Sequence, residues 1–320
     1  SFNADFENAK GRNASDDIKA ELIKLKAQNV EGIILDLRNN GGGSLTEVVD
    51  IMGLFMNSGP VVQVKDGNGR VQVMRNKQND PIWTGPLVIM QNELSASASE
   101  ILAGAMQDYG RAVIVGSPQS FGKGTVQTFV ELNRFLNTSD DFGALKLTIQ
   151  KFYRVNGKST QLKGVDSDIP MKDIFTYEEI GERYDNYALP WDQVSTSGFA
   201  PLNTLNISNL VNNSAKRLTQ NKNYQLLLES AQWKEKLDKE EKVTLNLKEF
   251  ESLMKARKEQ IEKFKSLIKF NNGLNFTLHA DEAKRGKTDE VFAKKSENWL
   301  KNLKRDIYLQ ETVNIISEMK

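Results

Sequence analysis

Three short, uninterrupted apolar runs constrain this chain more than any other feature: GIILD (residues 32–36), PLVIMQ (86–91) and RAVIVG (111–116). A run of that length without polar alternation has no wet face, so it reads as a strand buried on both sides. Segments with helical spacing lie between and around these runs. DDIKAELIKLKAQN carries Ile18, Leu22 and Leu25 behind an Asp-rich start, SLTEVVDIMGLFM follows the first run, and SASEILAGAMQDY follows the second. Strand, helix, strand is the order of a right-handed crossover, which implies a mostly parallel sheet covered by helices. GPVVQVKD and RVQVMR alternate about a Gly-Asn-Gly turn and predict a β-hairpin, and FGKGTVQTFVEL and ALKLTIQKFYRV add further strands. The expected class is an α/β core with β-hairpins, followed by an α-helical domain.

The chain has 320 residues, which favours two domains over one. The core is expected over 1–175, a connector over 176–202 containing Pro190, Gly198 and Pro201, and a helical domain over 203–320. In the longest helical pattern Phe250, Leu253, Met254, Ile261, Phe264, Leu267 and Ile268 form one stripe among Lys and Glu. That pattern suits a helix packed on its own neighbours, with a partner-binding arm as the other reading. Lysine plus arginine number 43 against 42 acidic residues, so charge gives no reason to expect nucleic acid or an anionic membrane as partner. No apolar run approaches the length that spans a bilayer.

Cysteine is absent and histidine occurs once, as His279. Disulfides, thiol nucleophiles, zinc sites and histidine-based triads are thereby set aside, and neither metal nor cofactor is expected. His279 is expected to be a surface residue at a helix start. In NELSASASEILAGAMQDYG, Ser95, Ser97 and Ser99 alternate where a strand ends and a helix begins. Such a position concentrates free amides and the positive end of a helix, so a serine there can be a nucleophile with its oxyanion caught by the next amide. It can equally be an N-cap, and Ser97 with Glu100 fits a capping box. FGKGTVQ places Lys123 between two glycines at another strand end. A lysine kept neutral by burial can act as a base, so a Ser–Lys dyad is the arrangement this composition permits. A phosphate loop does not fit: counting from Gly116, Phe121 stands where the second glycine belongs and Gly124 where the hydroxyl belongs. LRNNGGG (37–43) reads as a strand-to-helix turn or as a set of exposed amides at the same sheet edge.

DLRNNGGGSLTE, SASASEILAGAMQDYGRAVIVG, SFGKGTVQ and TIQKFYRVNGKSTQLKGVDSDIP together resemble, in order and spacing, the tail-specific (carboxy-terminal processing) proteases. YDNYALPWD and LQETVNI resemble the long-tailed branch of that family. The resemblance implies a serine endopeptidase of the bacterial envelope or periplasm that acts on proteins or peptides with apolar C-termini. It makes Ser97 the nucleophile, Lys123 the general base and Gln127 the residue orienting the amine. If 123–127 is a strand, the even separation puts both side chains on one face. Gly42 (with Gly41 or Gly43 as alternatives) and Ala98 become the oxyanion donors, and Glu100 and Ser120 become supports. Asp108 matches a third member sometimes included in the catalytic set. A residue eleven positions along a helix from Ser97 lies roughly 16 Å away along the axis, however, so a structural role bonding the following turn is expected instead. Members carry a PDZ domain and further N-terminal sequence, so the chain is expected to be a fragment that opens inside the protease domain. The helical part could bind an adaptor protein. The rival reading is a non-catalytic peptide-binding or scaffolding fragment of such a protease.

Overall fold

A computed structural model describes residues 1–4, 11–135, 140–202 and 205–320. Helix α1 (Ala14–Ala27) precedes β1 (Ile33–Asp36), and α2 (Leu45–Gly53) leads into a hairpin of β2 (Gly59–Asp66) and β3 (Val71–Asn76). Next come β4 (Leu87–Gln91), α3 (Ala98–Asp108) and β5 (Val113–Gly116), then a long hairpin of β6 (Thr125–Glu131) and β7 (Ala144–Tyr153), and finally the short β8 (Ile169–Pro170). The three apolar runs do form adjacent parallel strands, in a sheet ordered β1-β4-β5-β8. Every residue of β4 and β5 is buried, as strands without a polar face require.

The remaining four strands form a second, antiparallel sheet ordered β3-β2-β7-β6. It is as large as the first, whereas the sequence suggested hairpins attached to a parallel sheet. The two hairpins are joined by β2 and β7, with Gln63 opposite Tyr153 and Asp66 opposite Gln150. Turn chemistry specifies pairing within a hairpin and is silent about pairing between hairpins. One hydrophobic core runs from the parallel sheet through α2 and α3 to the second sheet; Ile51, Met52, Leu102, Met106, Leu87 and Ile89 are all fully buried in it. Each such side chain contributes about 1.5–3 kcal/mol relative to exposure.

The chain divides into two compact units, residues 1–170 with 179–205 and residues 171–178 with 206–320. Residues 179–202 of the expected connector therefore pack with the core. The second unit consists of α4 (Ile207–Gln220), α5 (Lys222–Asp238), α6 (Leu247–Ile268), α7 (Ala280–Arg285), α8 (Glu290–Lys304) and α9 (Ile307–Glu318). Arg217 of α4 pairs with Glu311 of α9 at 2.7 Å, and Trp233 of α5 packs on Phe264 of α6. The apolar stripe of α6 is only partly covered: Leu253, Met254, Phe264 and Leu267 are half-buried, while Ile261 and Ile268 are exposed. His279 is the N-cap of α7, its Nδ1 accepting the Asp281 N–H at 3.3 Å. Among the described residues no helix is long and apolar enough to cross a membrane, and no cluster of residues could hold a metal ion.

Candidate active site

Because β1, β4 and β5 are parallel neighbours, the loops that follow them leave one edge of the sheet. Those loops carry the three motifs, and they are stitched together. Asn39 and Asn92 exchange hydrogen bonds, Asn39 N–H to Asn92 Oδ1 at 2.8 Å and Asn92 Nδ2 to Asn39 Oδ1 at 2.9 Å. Ser95 Oγ donates to the Leu37 carbonyl and Ser99 Oγ to the Asn40 carbonyl, both at 2.8 Å. The Phe121 N–H donates to the Ser95 carbonyl at 3.0 Å. The alternating serines thus divide their work: Ser95 and Ser99 bind the glycine loop to the start of α3, and Ser97 between them lines a cavity.

Ser97 caps α3 with φ 56° and ψ −116°, a conformation that sterics disfavour for any residue with a Cβ. Strain of this kind costs roughly 1–3 kcal/mol and persists only where the surroundings enforce it. Here the enforcing group is Glu100, whose Oε2 accepts the Ser97 N–H at 2.7 Å. The cavity beside Ser97 measures about 230 Å³ and is also lined by Gly41, Gly43, Ala98, Lys123 and Gln127. Leu45, Ile101 and Phe152 give it an apolar wall.

The glycine loop reaches this serine only because Gly42 has no side chain. Its φ is +106°, and a Cβ there would lie 2.8 Å from both the Ala96 carbonyl oxygen and Ser97 Cβ. Its own amide, however, donates to Asn40 Oδ1 at 3.0 Å. The expected assignment of Gly42 as oxyanion donor therefore meets an amide already engaged within its loop. Gly41 and Gly43 line the cavity, and among the described residues nothing accepts their N–H groups or that of Ala98.

Lys123 Nζ donates to Gln127 Oε1 at 3.0 Å. The resemblance implied this contact, and even spacing would put both side chains on one face if 123–127 were a strand, but β6 begins only at Thr125 and its register slips between Val126 and Gln127. Burial pulls the Lys123 ammonium below the usual lysine range, helped by nearby Lys146 and opposed by Glu182 and Glu100.

Glu100 is completely buried and its carboxylate collects four donors. Besides Ser97 N–H it accepts from Ser120 Oγ (2.6 Å), the Gly122 N–H (2.6 Å) and the Lys123 N–H (3.0 Å). Burial pushes this carboxyl up to about 7 while the four hydrogen bonds pull it down. Ser120 Oγ also accepts the Val165 N–H at 2.8 Å, so both expected supports hold backbone.

Asp108 lies at the far end of α3, away from the cavity. It makes a bidentate pair with Arg154, at 2.6 and 3.0 Å, and accepts from Asn156 Nδ2 at 2.8 Å. Its partners are the residue just after β7 and one in the turn that follows, and not the turn following α3 as the sequence suggested. The helix terminus faces that strand end, and an arginine there outcompetes local backbone for the carboxylate.

Sequence reasoning missed Gln161 and Thr160. Gln161 Oε1 accepts the Gly124 N–H at 2.8 Å and Thr160 Oγ1 donates to the Lys123 carbonyl at 2.8 Å, fixing the lysine loop from a third side. Both are fully buried, and buried polar residues in an irregular segment leave no periodic signal.

Residues 1–171 match Peptidase family S41, and residues 175–320 match the C-terminal domain of tail specific protease. The chain belongs to peptidase family S41. It is 47% identical over 200 residues to the tail-specific protease of Haemophilus influenzae, covering 62% of this chain and 29% of that protein. It is 38% identical over 172 residues to a carboxy-terminal-processing protease of Bartonella bacilliformis, covering 53% of this chain and 36% of that one. The chain thus spans about a third of the length of these relatives. Among solved structures, a photosystem II D1 C-terminal processing protease is similar at 30% identity with a TM-score of 0.44, covering 49% of this chain and 39% of that one.

Proposed function

We propose that this chain carries the catalytic centre of a serine endopeptidase that cleaves proteins from or near their C-termini, with a Ser97–Lys123 dyad. The observation that carries the reading is a strained serine at a helix start sharing one cavity with a lysine whose ammonium is destabilised by burial. Neutral Lys123 accepts the Ser97 Oγ proton as that oxygen attacks the peptide carbonyl carbon. The Ala98 amide and a glycine-loop amide, Gly43 or Gly41, stabilise the oxyanion. As the C–N bond breaks, the protonated lysine returns its proton to the leaving amine. Water, deprotonated by Lys123, then cleaves the Ser97 ester and frees the new carboxylate. Gln127 holds the amine in place. The apolar wall of Leu45, Ile101 and Phe152 suits apolar residues near the scissile bond.

Envelope or periplasmic location and an adaptor on the helical unit belong to the same proposal; the first rests on the resemblance to the bacterial envelope family and the second on the partly uncovered α6 stripe. The deciding experiment is cleavage of an unstructured polypeptide ending in apolar residues, comparing the unmodified chain with Ser97→Ala and Lys123→Ala. Loss of cleavage in both, with circular dichroism unchanged, supports the dyad. Cleavage by Ser97→Ala at the unmodified rate rejects it.

A further inference from the structure

The loop that carries Lys123 is gripped from outside by a turn some sixty residues downstream, at 181–183. Arg183 donates through Nη1 to Gln119 Oε1 and through Nη2 to the Ser120 carbonyl, the latter at 3.0 Å. The Glu182 N–H donates to the Phe121 carbonyl at 3.0 Å. Glu182 Oε1 accepts from Gln161 Nε2 at 3.2 Å, and the other end of that same amide accepts the Gly124 N–H. Gln119 and Ser120 are thus held by the Arg183 side chain, Phe121 by the Glu182 amide, and Gly124 indirectly, through Gln161, by the Glu182 side chain. The approach is close enough to demand glycine: Gly181 has φ +126°, and a Cβ there would stand 2.7 Å from the Phe121 oxygen.

A plain fastener would need only the backbone contacts and the arginine. Glu182 adds a negative charge whose field reaches the lysine amine. The charged groups acting on that amine are Glu100 from α3, Glu182 from this turn and Lys146 from β7, so Glu182 is one of two carboxylates opposing burial and Lys146. The turn also has a distinctive place in the chain. Residues 171–178 pack in the helical unit and 179–205 in the core, so 181–183 lie where the chain has just re-entered the core.

We propose that Glu182 and Arg183 are positioning residues for the general base: the 181–183 turn straps the 119–124 loop so that the Lys123 amine stays against Gln127 in the cavity that Ser97 lines, with Glu182 supplying part of the charge around it. The proposal rests on Lys123 being the base. Arg183 holds the loop that carries the amine, and Glu182 adds to the negative charge that favours the protonated amine.

The test uses the whole chain labelled with ¹³C-lysine, the Lys123 Cε resonance being assigned by its loss in Lys123→Arg. Glu182→Gln is expected to lower the Lys123 titration midpoint and to carry the acid limb of kcat to lower pH. Arg183→Met is expected to lower kcat roughly tenfold to a hundredfold, the scale of a slightly misplaced catalytic group, with KM within about twofold. Arg183→Lys, which can still reach the Ser120 carbonyl, should recover part of that loss. A Lys123 midpoint unmoved by Glu182→Gln overturns the proposal, and so does a kcat for Arg183→Met equal to the unmodified value. If Arg183→Met does not fold, the Glu182→Gln midpoint decides alone. The NMR midpoint needs no turnover, so failure of the dyad itself, seen as undiminished cleavage by Lys123→Ala, is read separately.

Discussion

The backbone amides of Ser97 and Lys123 donate to the same carboxylate oxygen, Oε2 of Glu100, at 2.7 and 3.0 Å. Two residues from different loops are thereby held at a fixed separation by one buried atom. The relation gives Glu100 a purpose beyond capping α3: it sets the distance between the proposed nucleophile and the proposed base. Above about pH 7, where the group is ionised, it only accepts, and all four of its neighbours donate.

Replacing Glu100 by Gln turns one acceptor into a donor that faces N–H groups. We expect Glu100→Gln to destabilise the core by about 2–4 kcal/mol, the range for orphaned buried hydrogen bonds to a charged group. Cleavage should fall with it, since both loops lose their common anchor. Urea midpoints and cleavage rates measured on the same preparation check this, and a variant as stable as the unmodified chain contradicts it.

Glu100 also fixes a sign for pH. Its carboxyl titrates at about 7 in the fold, against 4.5 ordinarily. Between those values the folded chain holds a proton that the unfolded chain has released. The stabilising contribution is therefore complete below about pH 4.5 and is lost as pH rises through about 7. The full difference amounts to about 3 kcal/mol at most. Stability measured from pH 4.5 to 7.5 should decline more steeply for the unmodified chain than for Glu100→Gln; parallel curves would refute the assignment.

Lys123 gives the opposite direction in rate. Burial lowers its pKa, so cleavage should rise with pH along a limb set below the ordinary lysine value of 10.5. Gln127→Glu places a negative charge 3.0 Å from the amine and should move that limb to higher pH. Gln127→Ala should leave the limb nearly in place and lower the rate roughly tenfold through looser orientation. A limb unmoved by Gln127→Glu would show that Lys123 is not the titrating base.

Asp108 and Arg154 are almost wholly buried, with side chains 7% and 14% exposed. Breaking a buried pair from one side leaves a charge without its partner and costs about 3–5 kcal/mol. Asp108→Asn should therefore lower the denaturation midpoint while the folded fraction keeps its kcat and its pH profile. A kcat loss in fully folded Asp108→Asn would restore Asp108 to the catalytic set.

How much of this was legible in the sequence depends on the range of the interaction. The parallel sheet was visible because GIILD, PLVIMQ and RAVIVG declare burial on both faces locally. The meeting of the three loops at one sheet edge was visible because Ser97, Lys123 and the glycine loop each follow one of those strands. The antiparallel sheet was not, because β2 meets β7 across nearly ninety residues and no local pattern encodes that pairing. The engagement of the Gly42 amide by Asn40 depends on one rotamer, and the grip of Gln161 and Arg183 on the lysine loop depends on buried polar contacts between irregular segments. Neither leaves a period to read.

The strain at Ser97 can be measured directly. At φ 56° a Cβ is the source of the cost, so Ser97→Ala keeps the strain while Ser97→Gly removes it. Both variants lack the hydroxyl and should be equally inactive, which isolates the backbone from the chemistry. Glycine ordinarily destabilises a folded chain relative to alanine by roughly 0.5–1 kcal/mol through its entropy when unfolded. Here the order should reverse, with Ser97→Gly more stable than Ser97→Ala by about 1 kcal/mol. Thermal or urea midpoints of the two variants suffice. If alanine proves the more stable, Ser97 is not held in a strained conformation, and the idea that Glu100 enforces one falls with it.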